Sequence, residues 1–159
     1  MSSIILPNAL MLGEVSRMLA EGHSVVIMTK GTSMLPFIRG GSDSVELVKE
    51  ETYGLYDIVL AEVAEGHYVL HRIIGLDGGS VTLKGDGNLK GVEKCSLSDI
   101  RGRAVSIIGK TGRKTDCLTK RFNNRSRMWR NAPYVCRRYF LAFYRRLIRY
   151  EDNRRLQDA

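Results

Sequence analysis

Residues 67–88 read HYVLHRIIGLDGGSVTLKGDGN, and this stretch decides the fold class. Two β-rich runs, 67–76 and 80–84, are separated by the turn sequence Asp77-Gly78-Gly79. A short connection of this kind leaves no room for a helix, so the two runs are expected to be antiparallel neighbours. The second run ends at another tight-turn sequence, Gly85-Asp86-Gly87-Asn88.

Short β-rich runs of the same kind occur on both sides of this stretch. They cover residues 24–28, 44–49, 57–64 and 103–108, with glycine-containing turns between them. Many short strands without intervening helices predict a mainly β fold with an antiparallel, partly closed sheet. A short helix that opens near Pro7-Asn8 and stops at Gly22 is predicted before the first strand.

The composition is that of an ordinary globular chain, with 43% hydrophobic and 26% charged residues among 159. Three cysteines without a Cys-x-x-Cys spacing argue against a disulfide framework and a zinc site, and favour a reducing compartment. No apolar run reaches the roughly 20 residues that span a bilayer, and residues 1–13 do not resemble a secretory signal. We therefore expect a cytoplasmic protein, and the chemistry of the candidate residues described below needs no metal or organic cofactor.

The excess positive charge lies entirely in the last quarter of the chain. Residues 1–119 contain 13 Lys and Arg against 14 Asp and Glu, whereas residues 120–159 contain 12 against 3. This division predicts a charge-balanced body at 1–116, which contains the candidate catalytic residues discussed below, and a separate basic element at 117–159. An anionic partner is expected for the basic element alone.

A polar stretch at 110–130, which is predicted to be a connector, leads into an amphipathic helix within the basic element. The helix opens at Asn131-Ala132-Pro133, and residues 134–150 show helical periodicity. One apolar stripe carries Cys136, Phe140, Phe143, Leu147 and Tyr150, and arginines lie opposite. Such a helix can bind the surface of an anionic membrane, peripherally on its inner face, or dock on the body at 1–116 or a protein partner. Nucleic-acid binding is less favoured, because no reading motif accompanies the arginines.

Ser33 and His71 are the candidate nucleophile and general base. Ser33 lies between a flexible Gly-Thr pair and Met34-Leu35-Pro36, where the backbone must turn and stay accessible. A serine hydroxyl needs a base within hydrogen-bond reach, and histidine titrates near neutral pH. Taken alone, Ser33 is equally typical of a turn, and His71 of a structural histidine bonded to a backbone carbonyl.

Other residues offer alternative roles around this pair. Asp86 is either a turn residue or the carboxylate that orients His71. Lys84 would be the base if the chemistry were that of a Ser–Lys dyad. His67 has the same strand parity as His71, so a shift in register would exchange them.

Four blocks, in this order, resemble the S24/S26 serine peptidases, the clan of signal peptidase I and the LexA-type self-cleaving proteins. They span about residues 24–108 and read Gly31-Thr32-Ser33-Met34-Leu35-Pro36, Tyr56-Asp57-Ile58-Val59-Leu60, Val69-Leu70-His71-Arg72-Ile73-Ile74 and Thr82-Leu83-Lys84-Gly85-Asp86-Gly87-Asn88. The histidine makes the chain most similar to the endoplasmic-reticulum and sporulation-type signal peptidases, which use Ser–His.

The resemblance implies a LexA/signal-peptidase-like coiled β-sheet catalytic core. Ser33 would be the nucleophile and contribute its N–H to the oxyanion hole, His71 would be the base, and Asp86 would support the histidine or its loop. The chain departs from the family where Tyr56 replaces a glycine and where Ser42 separates Gly41 from Asp43. A further family aspartate is also missing, with Glu93 the nearest acid, so Asp86 and Glu93 both stay open as third members.

The resemblance thus implies a serine endopeptidase of signal-peptidase type that acts on a peptide or protein precursor. Two alternatives belong to other classes. One is a catalytically silent, peptidase-like binding module. The other is a LexA-like self-cleaving regulator, which is disfavoured because only about 30 residues precede the serine block.

Overall fold

In the computed structural model, which describes residues 8–157, eight strands form one antiparallel sheet. The helices are α1 (Asn8–Ala20), α2 (Lys120–Asn131) and α3 (Tyr134–Gln157). The strands are β1 (Val25–Met28), β2 (Ser44–Val48), β3 (Ile58–Ala64), β4 (His67–Asp77), β5 (Ser80–Lys84), β6 (Glu93–Ser96), β7 (Ile100–Ile108) and β8 (Lys114–Asp116). The predicted mainly β fold with an N-terminal and a C-terminal helix is therefore confirmed.

The sheet has the order β1-β2-β7-β3-β4-β5-β6, and β8 pairs with β7. Its central strands are buried on both faces. On β3, Ile58 and Leu60 belong to one apolar cluster, and Val59 and Ala61 belong to another. Because successive side chains on a strand point to opposite faces, the sheet separates two cores.

Helix α1 covers the first of these cores. Leu12, Val15 and Leu19 are buried at a spacing of three and four residues, so one side of the helix faces the sheet. The helix stops at Gly22, as predicted, where a φ of +87° suits glycine. Pro7, the first residue of the predicted helix start, lies outside the described residues.

The prediction of a connector at 110–130 is wrong, because this stretch contains β8 and most of α2. The Thr119 hydroxyl accepts a hydrogen bond from the Phe122 N–H and caps the start of α2. Phe122 and Ser126 are the buried side chains of this helix. The other residues of α2 are mostly polar and exposed, apart from the half-buried Trp129 and Arg130, which explains why the helix resembles a loop in sequence.

Helix α3 covers the predicted 134–150 and continues to Gln157. It is attached to the body through Leu141, which is fully buried. Phe140, Phe143, Leu147 and Tyr150 of the predicted stripe are all exposed, so the alternative in which this stripe docks on the body at 1–116 is wrong. Within residues 8–157, no helix combines the length and apolarity needed to cross a bilayer.

Candidate active site

Ser33 lies in the loop between β1 and β2, residues 29–43, which we call the Ser33 loop. Thr29 at its start donates its hydroxyl hydrogen to the Asp43 carbonyl at 2.8 Å, so the two ends of the loop are tied together. A Cβ at Gly40 would lie only 2.1 Å from the Gly31 carbonyl oxygen. The two arms of the loop therefore touch backbone to backbone, which requires glycine at position 40.

Ser33 and His71 line the same cavity, which has a volume of about 190 Å³. Helix α1 and strand β1 contribute apolar walls, with Met11 and Met28 among the lining residues. His71 is 95% buried, with 5% of its surface exposed. The Ser33 hydroxyl and the imidazole form no direct hydrogen bond in the described part of the chain. Hydrogen bonds of this kind are often long without substrate and tighten in its presence.

Glu93 forms a hydrogen bond with the Nδ1 side of the His71 ring. Its Oε2 lies 2.9 Å from the histidine Nδ1. The register explains this pair, because β5 places Leu83 opposite both Ile73 on β4 and Glu93 on β6. His71 is two residues before Ile73 and shares its face. A carboxylate accepts hydrogen bonds, so this geometry suits the tautomer in which Nδ1 carries the hydrogen and Nε2 has the free lone pair.

Asp86 does not contact His71, in contrast to the expectation that its carboxylate orients the ring. Its two oxygens accept hydrogen bonds from Arg72, from Nε at 2.8 Å and from Nη2 at 2.7 Å. Both side chains are buried, at 1% and 3% exposure. Arg72 follows His71 directly on β4, and successive residues of a strand face opposite ways. The carboxylate that meets Arg72 therefore lies away from the imidazole.

Arg72 also explains the departure at Tyr56, where the family block has glycine. Its Nη1 donates to the Tyr56 carbonyl at 2.8 Å. Tyr56 adopts a φ of +74°, the left-handed conformation that favours glycine. Its ring lies under the Arg130 guanidinium at 3.7 Å from the ring centroid. The contacts of Arg72 and Arg130 therefore hold a tyrosine in a conformation that is usually left to glycine.

The turn at 85–88 packs directly on the Ser33 loop. The Gly87 N–H donates to the Ser33 carbonyl at 2.8 Å. A Cβ at Gly85 would lie 2.4 Å from that same oxygen, and one at Gly87 would lie 2.7 Å from the Thr32 oxygen. Both glycines are thus required by close backbone approach, in addition to the turn that the sequence predicts.

The two C-terminal helices hold this turn and the Ser33 loop from outside. Trp129 donates its indole N–H to the Asp86 carbonyl at 2.8 Å, and Arg145 donates to the Gly87 carbonyl at 3.1 Å. Arg39, in the Ser33 loop, forms ion pairs with Glu151 at 2.7 Å and Asp152 at 2.9 Å. The basic C-terminal element is therefore part of the scaffold of the site.

The alternative bases lie elsewhere. Lys84 lines a separate small cavity beside Trp129, and its ammonium group donates to the Leu89 carbonyl at 3.4 Å. His67 is exposed at the start of β4. Among the described residues, no group of three or more His, Cys, Asp or Glu side chains is arranged to hold a metal ion.

No protein-family model matches this chain, and a search of curated proteins finds no significant match. The functional argument therefore rests on the residues and their geometry.

Several residues that organise the site cannot be identified from the sequence. Arg72 and Arg39 carry no local motif that reveals their partners, which are distant in the chain. Glu93 is a candidate third member in the sequence, as the nearest acid after the turn at 85–88, but no local pattern favours it over Asp86. Glu93 can be assigned as the partner of His71 from its pairing with Leu83. That pairing can be predicted only when β6 is recognised as a strand.

Proposed function

We propose that this protein is a serine endopeptidase of the S24/S26, signal-peptidase-like type, with Ser33 as nucleophile and His71 as general base. One observation carries the proposal. Ser33 and His71 line one cavity, and Glu93 holds the imidazole through Nδ1, so that Nε2 is the nitrogen left to accept a proton. This is the nucleophile, base and orienting group that a serine hydrolase needs.

The proposed reaction uses these three residues and the backbone. His71 Nε2 takes the Ser33 proton as Oγ attacks a peptide carbonyl, and Glu93 stabilises the imidazolium that forms. The Ser33 N–H makes no hydrogen bond within the described chain and would bind the developing oxyanion. Nε2 then protonates the leaving amine, and water, activated by the same nitrogen, hydrolyses the acyl-enzyme.

The peptide or protein substrate would bind in an extended conformation along β1. This strand is at the end of the sheet order, so one of its edges is unpaired within the sheet. Its last residue, Met28, lines the same cavity as Ser33. An extended segment added to this edge would form main-chain hydrogen bonds and carry a carbonyl towards Oγ.

In this proposal Asp86 is a positioning residue. Asp86 forms an ion pair with Arg72, which follows the base His71 on β4. Asp86 also belongs to the 85–88 turn, whose Gly87 N–H donates to the Ser33 carbonyl. The pair would thus fix the distance between nucleophile and base without touching the substrate.

Labelling with a fluorophosphonate probe, followed by intact mass, tests the proposal. We expect one adduct on the wild-type protein and none on Ser33→Ala. His71→Ala should slow labelling by about 10²-fold or more, the range lost with a general base. Ser98→Ala and His67→Ala are matched controls at exposed positions and should label like wild type. Equal labelling of Ser33→Ala and wild type would exclude Ser33 as nucleophile.

A second candidate is a peptide-binding module that does not cleave. The missing hydrogen bond between Ser33 and His71 favours it. Such a module would retain an extended peptide in a pull-down, resist the probe, and bind equally well after Ser33→Ala. Probe labelling confined to Ser33 would exclude this candidate.

A further inference from the structure

Helix α3 carries an exposed apolar face that the proposed catalysis does not use. Six residues form it at spacings of three, four and seven, and we call them the α3 stripe. They are Val135 (58% exposed), Tyr139 (70%), Phe140 (48%), Phe143 (67%), Leu147 (40%) and Tyr150 (65%). Four of the six are aromatic. Contiguous exposed apolar surface of this kind marks an interaction site.

The body of the protein does not cover the stripe, because α3 is attached by its opposite side. Leu141 is buried, Arg145 bonds the Gly87 carbonyl, and Glu151 and Asp152 pair with Arg39. Phe140, at the border, contacts the Trp129 ring at 5.4 Å. The helix is therefore fixed in one orientation, with the remainder of the stripe facing solvent.

Arginines border the stripe on one side. Arg138, Arg146 and Arg149 are exposed and form no ion pair within residues 8–157. The helix has no acidic residue before Glu151. An exposed aromatic face flanked by unpaired arginines matches a surface that is apolar inside and negatively charged outside.

We propose that α3 binds the surface of an anionic lipid bilayer, with the α3 stripe inserted at the level of the headgroups and acyl chains. The arginines would contact the phosphates, and the helix would lie parallel to the surface. A second copy of the chain fits less well, because pairing two stripes would bring two arginine rows together with no acid on that face. The proposal is independent of peptide hydrolysis and concerns where the protein acts.

Flotation of the full chain with lipid vesicles tests the proposal. We expect binding to vesicles of equal phosphatidylglycerol and phosphatidylcholine, little binding to phosphatidylcholine alone, and loss of binding as salt is raised. The variant Arg138→Gln, Arg146→Gln, Arg149→Gln should bind about 100-fold more weakly, since each basic residue near such a surface contributes about fivefold. Its matched control is Lys90→Gln, Lys110→Gln, Arg113→Gln, which removes as many exposed charges from loops outside α3.

A second pair of variants separates the apolar contribution from charge. Phe143→Ser with Tyr150→Ser should weaken binding by at least about 10-fold, because two large side chains no longer enter the bilayer. Met128→Ser is the control, as this residue is 73% exposed on α2 but lies outside the stripe. All variants change exposed residues and should keep the wild-type melting temperature and probe labelling.

Three outcomes would overturn the proposal. One is the absence of binding to phosphatidylglycerol vesicles. Another is an equal loss in the Lys90, Lys110, Arg113 control, which would show unspecific attraction by net charge. The last is a dimer in light scattering that the stripe variants dissociate without any effect on flotation, which would assign the stripe to a second copy.

Discussion

Replacing Asp86 by asparagine should lower the free energy of unfolding by about 3 kcal/mol. The Asp86 carboxylate receives two hydrogen bonds from Arg72, and both side chains are at most 3% exposed. Removing one partner of a buried pair leaves the other charge unpaired and costs about 3–5 kcal/mol. Asparagine keeps the shape and one acceptor, so the lower end of this range applies.

Thermal unfolding followed by circular dichroism measures this loss. For a chain of this size, about 3 kcal/mol corresponds to a melting temperature lower by roughly 6–12 °C. Asp77→Asn, at the exposed end of β4, is the matched control and should shift the midpoint little. Arg72→Met combined with Asp86→Leu should recover much of the loss, because no unpaired charge remains.

Two results would refute this reasoning. A loss below about 1 kcal/mol would mean that water reaches the pair, as exposed ion pairs contribute no more than that. The second concerns the pH dependence of probe labelling, measured below the melting temperature of each variant. The reasoning would fail if Asp86→Asn changed this pH dependence and Glu93→Gln did not. That result would make Asp86 the partner of His71.

Three further predictions concern neighbouring residues. Glu93→Gln should slow probe labelling by about 10²-fold or more, because the His71 ring loses the negative charge that stabilises its protonated form. The melting temperature should change little. Unchanged labelling would contradict the role of Glu93 as the partner of His71. Gly87→Ala places a methyl group 2.7 Å from the Thr32 oxygen and should cost about 1–3 kcal/mol in thermal unfolding, and an unchanged midpoint would show that the turn moves away freely. Burial raises the pKa of the Cys117 thiol to about 12, so at pH 8 a thiol reagent should modify the exposed Cys136 first and Cys117 only on unfolding. The Cys117 thiol ionises near pH 9 in the unfolded chain but not in the folded protein. The free energy of unfolding should therefore decrease as the pH rises above 9. Cys117→Ala should remove the contribution of this thiol to the decrease.

The sequence predicts those strands that contribute apolar side chains to the core. The runs at 24–28, 44–49, 57–64, 67–76 and 80–84 match β1 to β5 within about two residues. Strands β6 and β8 were missed because they are short and polar, with sequences EKCS and KTD. Such edge strands are defined by backbone pairing to a neighbour, which leaves no apolar pattern.

The same limit applies to the site. Ser33 and His71 stand out in the sequence because each is surrounded by a recognisable block. The choice between Asp86 and Glu93 could not be made there, since it depends on which face of β4 each carboxylate meets. That face follows from the pairing of β5 with β6, and β6 was not predicted. Arg72 decided the outcome by binding Asp86 on the opposite face.

The two ion pairs of Arg39 have a consequence for biosynthesis. They join residues 112 and 113 positions apart, linking the Ser33 loop to the last turns of α3. A growing chain that has reached residue 119 already contains Ser33 and His71, but neither of the two acids that pair with the Arg39 guanidinium. The loop gains its outer anchor only after residue 152 has left the ribosome. The Ser33 loop is therefore fully anchored only after α3 has been synthesised and can fold back onto the sheet.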